Sequence, residues 1–139
     1  MPITVLMLCA LGVVRDTETN NISVFNILEQ VTPGAFPAVV PESRVLVMLE
    51  KEGEEPEGVE GKLTVKMDED AEPIQAVQFR IDFQGKRSFR AIIFLRNLPI
   101  LHAGHLHFLF SIGTEEKGRY SVLVKAPTPP AIEAGTIPT

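Results

Sequence analysis

Apolar and polar side chains alternate along most of this chain, and this period of two limits the fold more than any other feature. Every second position is apolar in the segments 62–68, 75–83, 105–112 and 119–125. Successive side chains of a β-strand point to opposite faces of its sheet. Each of these segments is therefore predicted to be a strand with one buried face.

Three further runs are apolar at consecutive positions, and together they contain much of the 45% hydrophobic fraction of the chain. They span Ile3–Val14, Val45–Leu49 and Ala91–Leu95. Continuous apolar runs are typical of strands that are covered on both faces. We expect these three strands to be central in their sheet or covered on both sides. If one outer face is left uncovered within the monomer, it becomes a surface for self-association.

Together with Ile22–Leu28, these segments give eight strands separated by Gly, Pro and Asn turn signals. Helical periodicity of 10–15 residues does not occur between them. The sequence therefore predicts an all-β fold, an antiparallel two-sheet β-sandwich of Greek-key or jelly-roll type, with a small barrel as the alternative. The 139 residues suggest one domain, residues 1–125. The Pro-rich residues 126–139 are predicted to be an extended, mobile tail.

The apolar N-terminal run has the length of a signal-peptide core but lacks its other features. No Lys or Arg precedes Arg15, and no small-x-small cleavage pattern follows. The run is also shorter than the roughly 20 apolar residues that cross a bilayer. We predict a buried strand, a cytoplasmic protein without a membrane partner, and an inert buried thiol at Cys9, the single cysteine of the chain.

The three histidines of the chain, His102, His105 and His107, lie close together in sequence. On a strand, His105 and His107 point to the same side with backbones about 7 Å apart, so both imidazoles can reach one zinc ion, with His102 as a third ligand. The His-x-His pattern is similar to the metal motif of cupins, but the downstream glutamate of that motif is absent. The alternative is a solvated polar strand face. Ser111 lies about 13 Å along the strand from His107, too far for a serine triad.

The charges are distributed unevenly. Residues 50–72 contain ten acids and three bases, which gives this segment a net charge of −7 within a chain of −5. Asp68, Asp70 and Glu72 offer oxygen ligands for Ca²⁺, although the pattern of an EF-hand is missing; the alternative is a charged hairpin turn. Basic side chains on the strands of 80–96, including Arg87, Arg90 and Arg96, suggest a phosphate or nucleic-acid site. A pI of 5.2 argues against nucleic acid. The alternative is pairing with the acidic residues 50–61, which we expect to form a solvated loop because they are rich in Glu, Gly and Pro.

From about Asn20 to Lys125 the order of features resembles a family of small bacterial domains of unknown function. The similar segments are Phe25-Asn26-Ile27-Leu28, Phe36-Pro37, Arg44-Val45-Leu46-Val47, Gly104-His105-Leu106-His107-Phe108, Ser111-Ile112-Gly113 and Arg119-Tyr120-Ser121-Val122. The resemblance implies a β-sandwich and no particular activity. The N-terminal strand departs most from the family pattern because it is unusually apolar.

These observations lead to three functional hypotheses. The first is a non-enzymatic protein–protein interaction or self-assembling module, without catalytic residues or a cofactor, that forms a homo-oligomer or binds an unidentified protein. The second is a metal- or small-ligand-binding domain that uses His102, His105 and His107. The third and weakest is a phosphate or nucleic-acid binder that uses the basic strands of residues 80–96.

Overall fold

The computed structural model describes residues 2–54, 57–69 and 72–127, and the elements formed by these residues are β-strands joined by turns. No helix in these ranges is long and apolar enough to span a bilayer. The predicted tail from residue 128 onward lies outside the described residues. The nine strands are β1 (Ile3–Arg15), β2 (Ile22–Ile27), β3 (Gln30–Val31), β4 (Ala38–Glu50), β5 (Gly58–Met67), β6 (Pro73–Asp82), β7 (Ser88–Ile100), β8 (Gly104–Ile112) and β9 (Glu115–Val124).

The strands form two sheets, which confirms the predicted all-β, two-sheet sandwich. Sheet A has the order β2-β1-β4-β7 and sheet B the order β3-β9-β8-β5-β6. Neighbours are antiparallel except β3, which pairs parallel to β9 through Gln30 and Val31. A strand of two residues is too short for alternation to reveal it, so this ninth strand was not predicted.

The four alternating segments predicted as half-buried strands are β5, β6, β8 and β9, the long strands of sheet B. Their apolar side chains pack in the core against the inner face of sheet A. Lys62, His105 and Arg80 occupy the opposite, solvent-facing side of sheet B. The acidic segment 50–61 was expected to be a loop throughout, but β4 continues to Glu50 and β5 already begins at Gly58.

The three doubly apolar runs lie side by side in sheet A as β1, β4 and β7. One set of alternate side chains, which includes Cys9, Val45, Val47, Ile93 and Leu95, packs in the core between the sheets. The other set points away from sheet B. The outer face of sheet A is therefore apolar as well, unlike the outer face of sheet B.

The expectation that both faces of the N-terminal strand are fully covered is wrong for much of β1. Val5 and Val14 are exposed by 53% and 55%. Phe94 on β7, at 53%, is similarly exposed. The reason is that no third sheet covers sheet A. Only part of its outer face is covered, and the cover is formed by the chain's own first hairpin.

The β1–β2 hairpin folds back across the outer face of sheet A. β1 leaves β4 after the pair Ala10–Arg44, whereas its pairing with β2 continues to Arg15. After Ala10 the hairpin bends back over sheet A, and its tip lies beside β7. The evidence is a hydrogen bond from Arg90 Nη2 to the carbonyl oxygen of Asn20 (3.0 Å). Arg90 pairs with Met48, and its neighbours on β7 point into the core, so its side chain lies on the outer face.

Burial is consistent with this second apolar layer between the hairpin and sheet A. Leu46 and Ala10 are fully buried although they lie outside the core cluster. Further apolar side chains of sheet A are half-buried outside that cluster, among them Leu8, Val13, Ile22, Val24, Met48 and Ile92. The hairpin thus turns Val13 and Val24 towards the sheet and leaves Val14 and Phe25 on its solvent side.

Candidate functional site

Two of the three histidines come together on the outer face of sheet B. The imidazole rings of His105 and His107 stack with centroids 6.1 Å apart and an interplanar angle of 8°. His102 lies exposed in the turn before β8, with Nδ1 2.8 Å from the carbonyl oxygen of Ala103. The described residues contain no group of three or more His, Cys, Asp or Glu side chains placed to hold one metal ion. The metal site stays a prediction.

His107 is nearly buried, whereas the sequence led us to expect solvated imidazoles. It lies between Lys66 of β5 and Ser121 of β9. Its Nδ1 is 2.6 Å from the Ser121 hydroxyl, and its Nε2 is 3.8 Å from the Glu69 carboxylate. Burial lowers the pKa of His107 below its ordinary value, and the nearby Glu69 carboxylate opposes this shift.

Glu69 lies in the turn between β5 and β6, and its side chain contacts β9 on the outer face of sheet B. Its carboxylate accepts a hydrogen bond from Arg119, which also donates to Glu116 (3.2 Å), and this contact with Arg119 lowers the pKa of Glu69. Glu69 therefore forms an ion pair with Arg119. Its distance of 3.8 Å from His107 Nε2 is too long for the hydrogen bond by which a carboxylate orients the histidine of a serine triad. The sequence did not predict that Glu69 and Ser121 lie next to His107, because only the pairing of the strands brings these residues together.

Asp68, one of the proposed Ca²⁺ ligands, stabilises the start of β8. Its carboxylate accepts the backbone N–H of His105 (3.1 Å), and its own N–H donates to the His105 carbonyl oxygen (2.8 Å). Asp70 lies outside the described residues. This arrangement supports the alternative reading of the segment as a charged turn.

Three basic side chains of 80–96, those of Arg80, Arg87 and Arg90, make separate contacts with the chain itself. Arg80 pairs with Glu60 at 3.4 Å, as the alternative reading expected for the acidic segment. Arg87 donates to the carbonyl oxygen of Lys51 (2.7 Å), and Arg90 holds the hairpin tip. The prediction of a phosphate or nucleic-acid site remains untested.

Cys9 lies in the core with no exposed surface. Burial raises the pKa of its thiol to about 12, so the thiolate that would react as a nucleophile is not formed near neutral pH. This agrees with the prediction of an inert thiol.

A cavity of about 470 Å³ opens beside the hairpin tip. Its lining includes the apolar side chains of Val5, Met48 and Phe89 together with Asn20 and Arg90. Acidic and basic groups both line this cavity, so its charge favours neither anions nor cations. The cavity marks the gap between the folded hairpin and the end of the sandwich.

The largest concentration of exposed apolar side chains is on the first hairpin. Of the ten large hydrophobic residues exposed in the described part of the chain, seven belong to β1 or β2: Ile3, Val5, Leu6, Leu11, Val14, Phe25 and Ile27. We call these seven side chains the hairpin surface. Leu11, Val14, Phe25 and Ile27 lie in the folded-back part of the hairpin, which carries apolar residues on both faces, whereas Ile3, Val5 and Leu6 lie where β1 runs along β4.

Charged groups border the hairpin surface. The Arg44 guanidinium lies over the Phe94 ring, 4.2 Å from its centroid, and donates to the carbonyl oxygen of Leu11 (2.6 Å). Glu42 is 3.7 Å from the same guanidinium. An apolar centre with a charged border is the usual composition of a protein–protein interface.

Comparison with known proteins places the chain in a family without assigning it an activity. A search of curated proteins gives no match. The expected relation to a domain family of unknown function is confirmed, whereas a bacterial origin is not shown. The match begins within β1 and extends past the end of β9, so it includes all nine strands except the first two residues of β1. The chain belongs to the family of unknown function DUF6941, whose model matches residues 5–125.

Proposed function

We propose that this protein is a non-enzymatic interaction module that binds another protein chain through the hairpin surface. One observation carries the proposal: seven of the ten large apolar side chains exposed in the described ranges lie on β1 and β2. Scattered exposed apolar residues are normal on a soluble protein, whereas a concentration of them on two paired strands is typical of an interaction site.

The two outer faces of the sandwich differ in a way that supports this function. On sheet B the outward positions carry polar side chains such as Lys62, Gln78 and His105. On sheet A the outward positions of β1 carry Leu6, Leu8 and Val14. Solvent alone does not favour an apolar outer face, so we attribute it to contact with the hairpin and, beyond the hairpin, with a partner.

A cytoplasmic setting is part of the same proposal. A single cysteine, Cys9, cannot form a disulfide within the chain, and it is buried. Domains without disulfides are typical of reducing compartments.

The experiment is capture of protein by cross-linking in a native lysate, with matched serine variants. Val14→Ser/Phe25→Ser changes two exposed side chains of the hairpin surface. Val39→Ser/Leu101→Ser changes two side chains of equal exposure, 55% and 57%, outside it. We expect the first variant to lose cross-linked partners, including further copies of itself, and the second to keep them. Equal capture by both variants, or no capture by the wild type, would contradict the proposal.

A second candidate function, metal binding by the histidines, is favoured by the position of Glu69. Its carboxylate oxygen lies 3.8 Å from His107 Nε2, beside the stacked His105 and His107 pair, and serves as a ligand only if it leaves its ion pair with Arg119. Rotation of the two rings is required, because parallel imidazoles do not converge on one ion. Titration of tag-free protein with Zn²⁺ is the test. Saturable binding that is lost in His105→Ala/His107→Ala, and reduced in His102→Ala, supports the site; unchanged binding contradicts it.

A further inference from the structure

We propose that the partner of the hairpin surface is a second copy of this chain, bound by antiparallel pairing of β2 with β2 about a twofold axis. The two hairpins then form one four-stranded sheet with the order β1-β2-β2-β1. This inference rests on the proposed interaction function and names its partner.

β2 is an edge strand of sheet A with few of the features that usually prevent edge pairing; its one backbone irregularity is Asn26, whose φ is +54°. Natural edges carry charges or proline, or they are very short. Ile22–Ile27, with the sequence ISVFNI, has six residues and contains neither a charge nor a proline. Phe25 and Ile27 are exposed by 53% and 48%.

The other edge strands of the described sandwich carry such features. β6 begins at Pro73 and contains Arg80 and Asp82. β7 contains Arg90 and Arg96. β3 has two residues. Among these four edges, β2 alone is therefore an uncharged strand of more than two residues.

A twofold axis perpendicular to the new sheet fixes how the two strands face each other. It places residues of the same face opposite one another, so one residue of β2 lies against its own copy. With Phe25 at the axis, Ser23 lies opposite Ile27 of the partner subunit. The Phe25 side chain packs over Gly12, where a Cβ atom would lie 3.6 Å from it, and the other side of the ring is left for Phe25 of the partner subunit.

Charges at the two ends of β2 are complementary in this arrangement. Arg15 pairs with Ile22 at one end, and Glu29 follows Ile27 at the other. Both side chains are exposed. With Phe25 at the axis, Ile22 lies opposite Leu28 of the partner subunit, so Arg15 comes close to Glu29 of the partner subunit. Symmetry produces this contact twice, and no like charges are brought together along β2.

Sedimentation of the full chain over a wide range of concentrations tests the pairing. We expect a reversible dimer for the wild type and a monomer for Phe25→Lys, which places two lysines at the axis. Leu101→Lys, at an equally exposed position outside the hairpin surface, is the matched control and keeps the dimer. Circular dichroism and thermal melting verify that each variant is folded.

A charge exchange tests the antiparallel orientation. Arg15→Glu and Glu29→Arg each weaken dimerisation, by about tenfold if two exposed ion pairs are replaced by repulsion. The double variant Arg15→Glu/Glu29→Arg restores it. A wild type that is monomeric at every concentration overturns the proposal, as does a dimer that Phe25→Lys leaves unchanged.

Failure of β2 self-pairing and failure of the proposed interaction function give different experimental results. A monomeric wild type that still captures another protein through the hairpin surface overturns β2 self-pairing and leaves the interaction function standing. A monomeric wild type that captures nothing overturns both.

Discussion

Arg90 and Asn20 join parts of the chain that are 70 residues apart. The guanidinium of Arg90 lies 3.0 Å from the carbonyl oxygen of Asn20 and 3.1 Å from its side-chain oxygen. This contact ties the tip of the β1–β2 hairpin to β7. It holds the hairpin over the outer face of sheet A, with Val14 and Phe25 on the solvent side.

Removal of this contact should loosen the hairpin without unfolding the sandwich. Arg90→Ala loses hydrogen bonds worth about 1 kcal/mol in total, because each is exposed to water. We expect faster amide exchange between residues 12 and 25 and stronger binding of a hydrophobic dye. Arg96→Ala, on the same strand, is the control. Equal exchange in the two variants would show that Arg90 does not hold the hairpin.

The apolar layer beneath the hairpin should contribute to stability as a core does. Leu46 is fully buried although it lies outside the core cluster. We expect Leu46→Ala to lower the free energy of unfolding by about 2–5 kcal/mol, as for a core leucine such as Leu63. Chemical denaturation of both alanine variants measures this. A loss below about 1 kcal/mol at Leu46 would mean that the hairpin does not cover it.

Gly104 should not tolerate a side chain. Its φ is +150°, and a Cβ atom there would lie 2.7 Å from the carboxylate of Asp68, which accepts the His105 N–H. Gly104→Ala therefore adds backbone strain and displaces Asp68. We expect a loss of about 1–3 kcal/mol in unfolding free energy. Gly34→Ala, where the space around the Cβ position is open, is the control and should cost less than about 1 kcal/mol.

Acidification should destabilise the protein through His107. Burial lowers the pKa of this imidazole in the folded state, so the unfolded chain binds the proton more readily. Stability should therefore fall as the pH drops below about 6.5, the ordinary value for histidine, and the loss is complete below the folded value. Denaturation between pH 7 and pH 5 measures this slope. His107→Gln should flatten it.

Glu69 offers an independent check on the same group, because its carboxylate raises the pKa of His107 against the effect of burial. Glu69→Gln should move the His107 titration, followed by NMR, to still lower pH. A shift upward would contradict the assigned role of Glu69.

Alternation in the sequence predicted sheet B well because each long strand there has one core face and one polar face. Leu63, Phe108 and Val122 are buried where the pattern placed them. The same reasoning failed for the outer face of β1. An unbroken apolar run does not distinguish a face covered by another sheet from one covered in part by its own hairpin.

The contacts around the candidate sites depend on strand pairing that periodicity does not reveal. Ser121 meets His107 because β8 and β9 pair in one particular register, and Glu69 reaches Arg119 across 50 residues. Asn20 reaches Arg90 only because the hairpin reverses over the sheet. The apolar surplus of β1, β4 and β7 was visible in the sequence, whereas the position of its cover was not.

Amide hydrogen exchange along β2, measured from low to high protein concentration, tests the central claim most directly. If two copies pair through this edge, exchange of Ser23–Ile27 slows as the concentration rises, while the edge strand β6 exchanges at a constant rate. Phe25→Lys removes the concentration dependence. Rates along β2 that stay the same at every concentration, in a wild type that is folded throughout, would contradict the account.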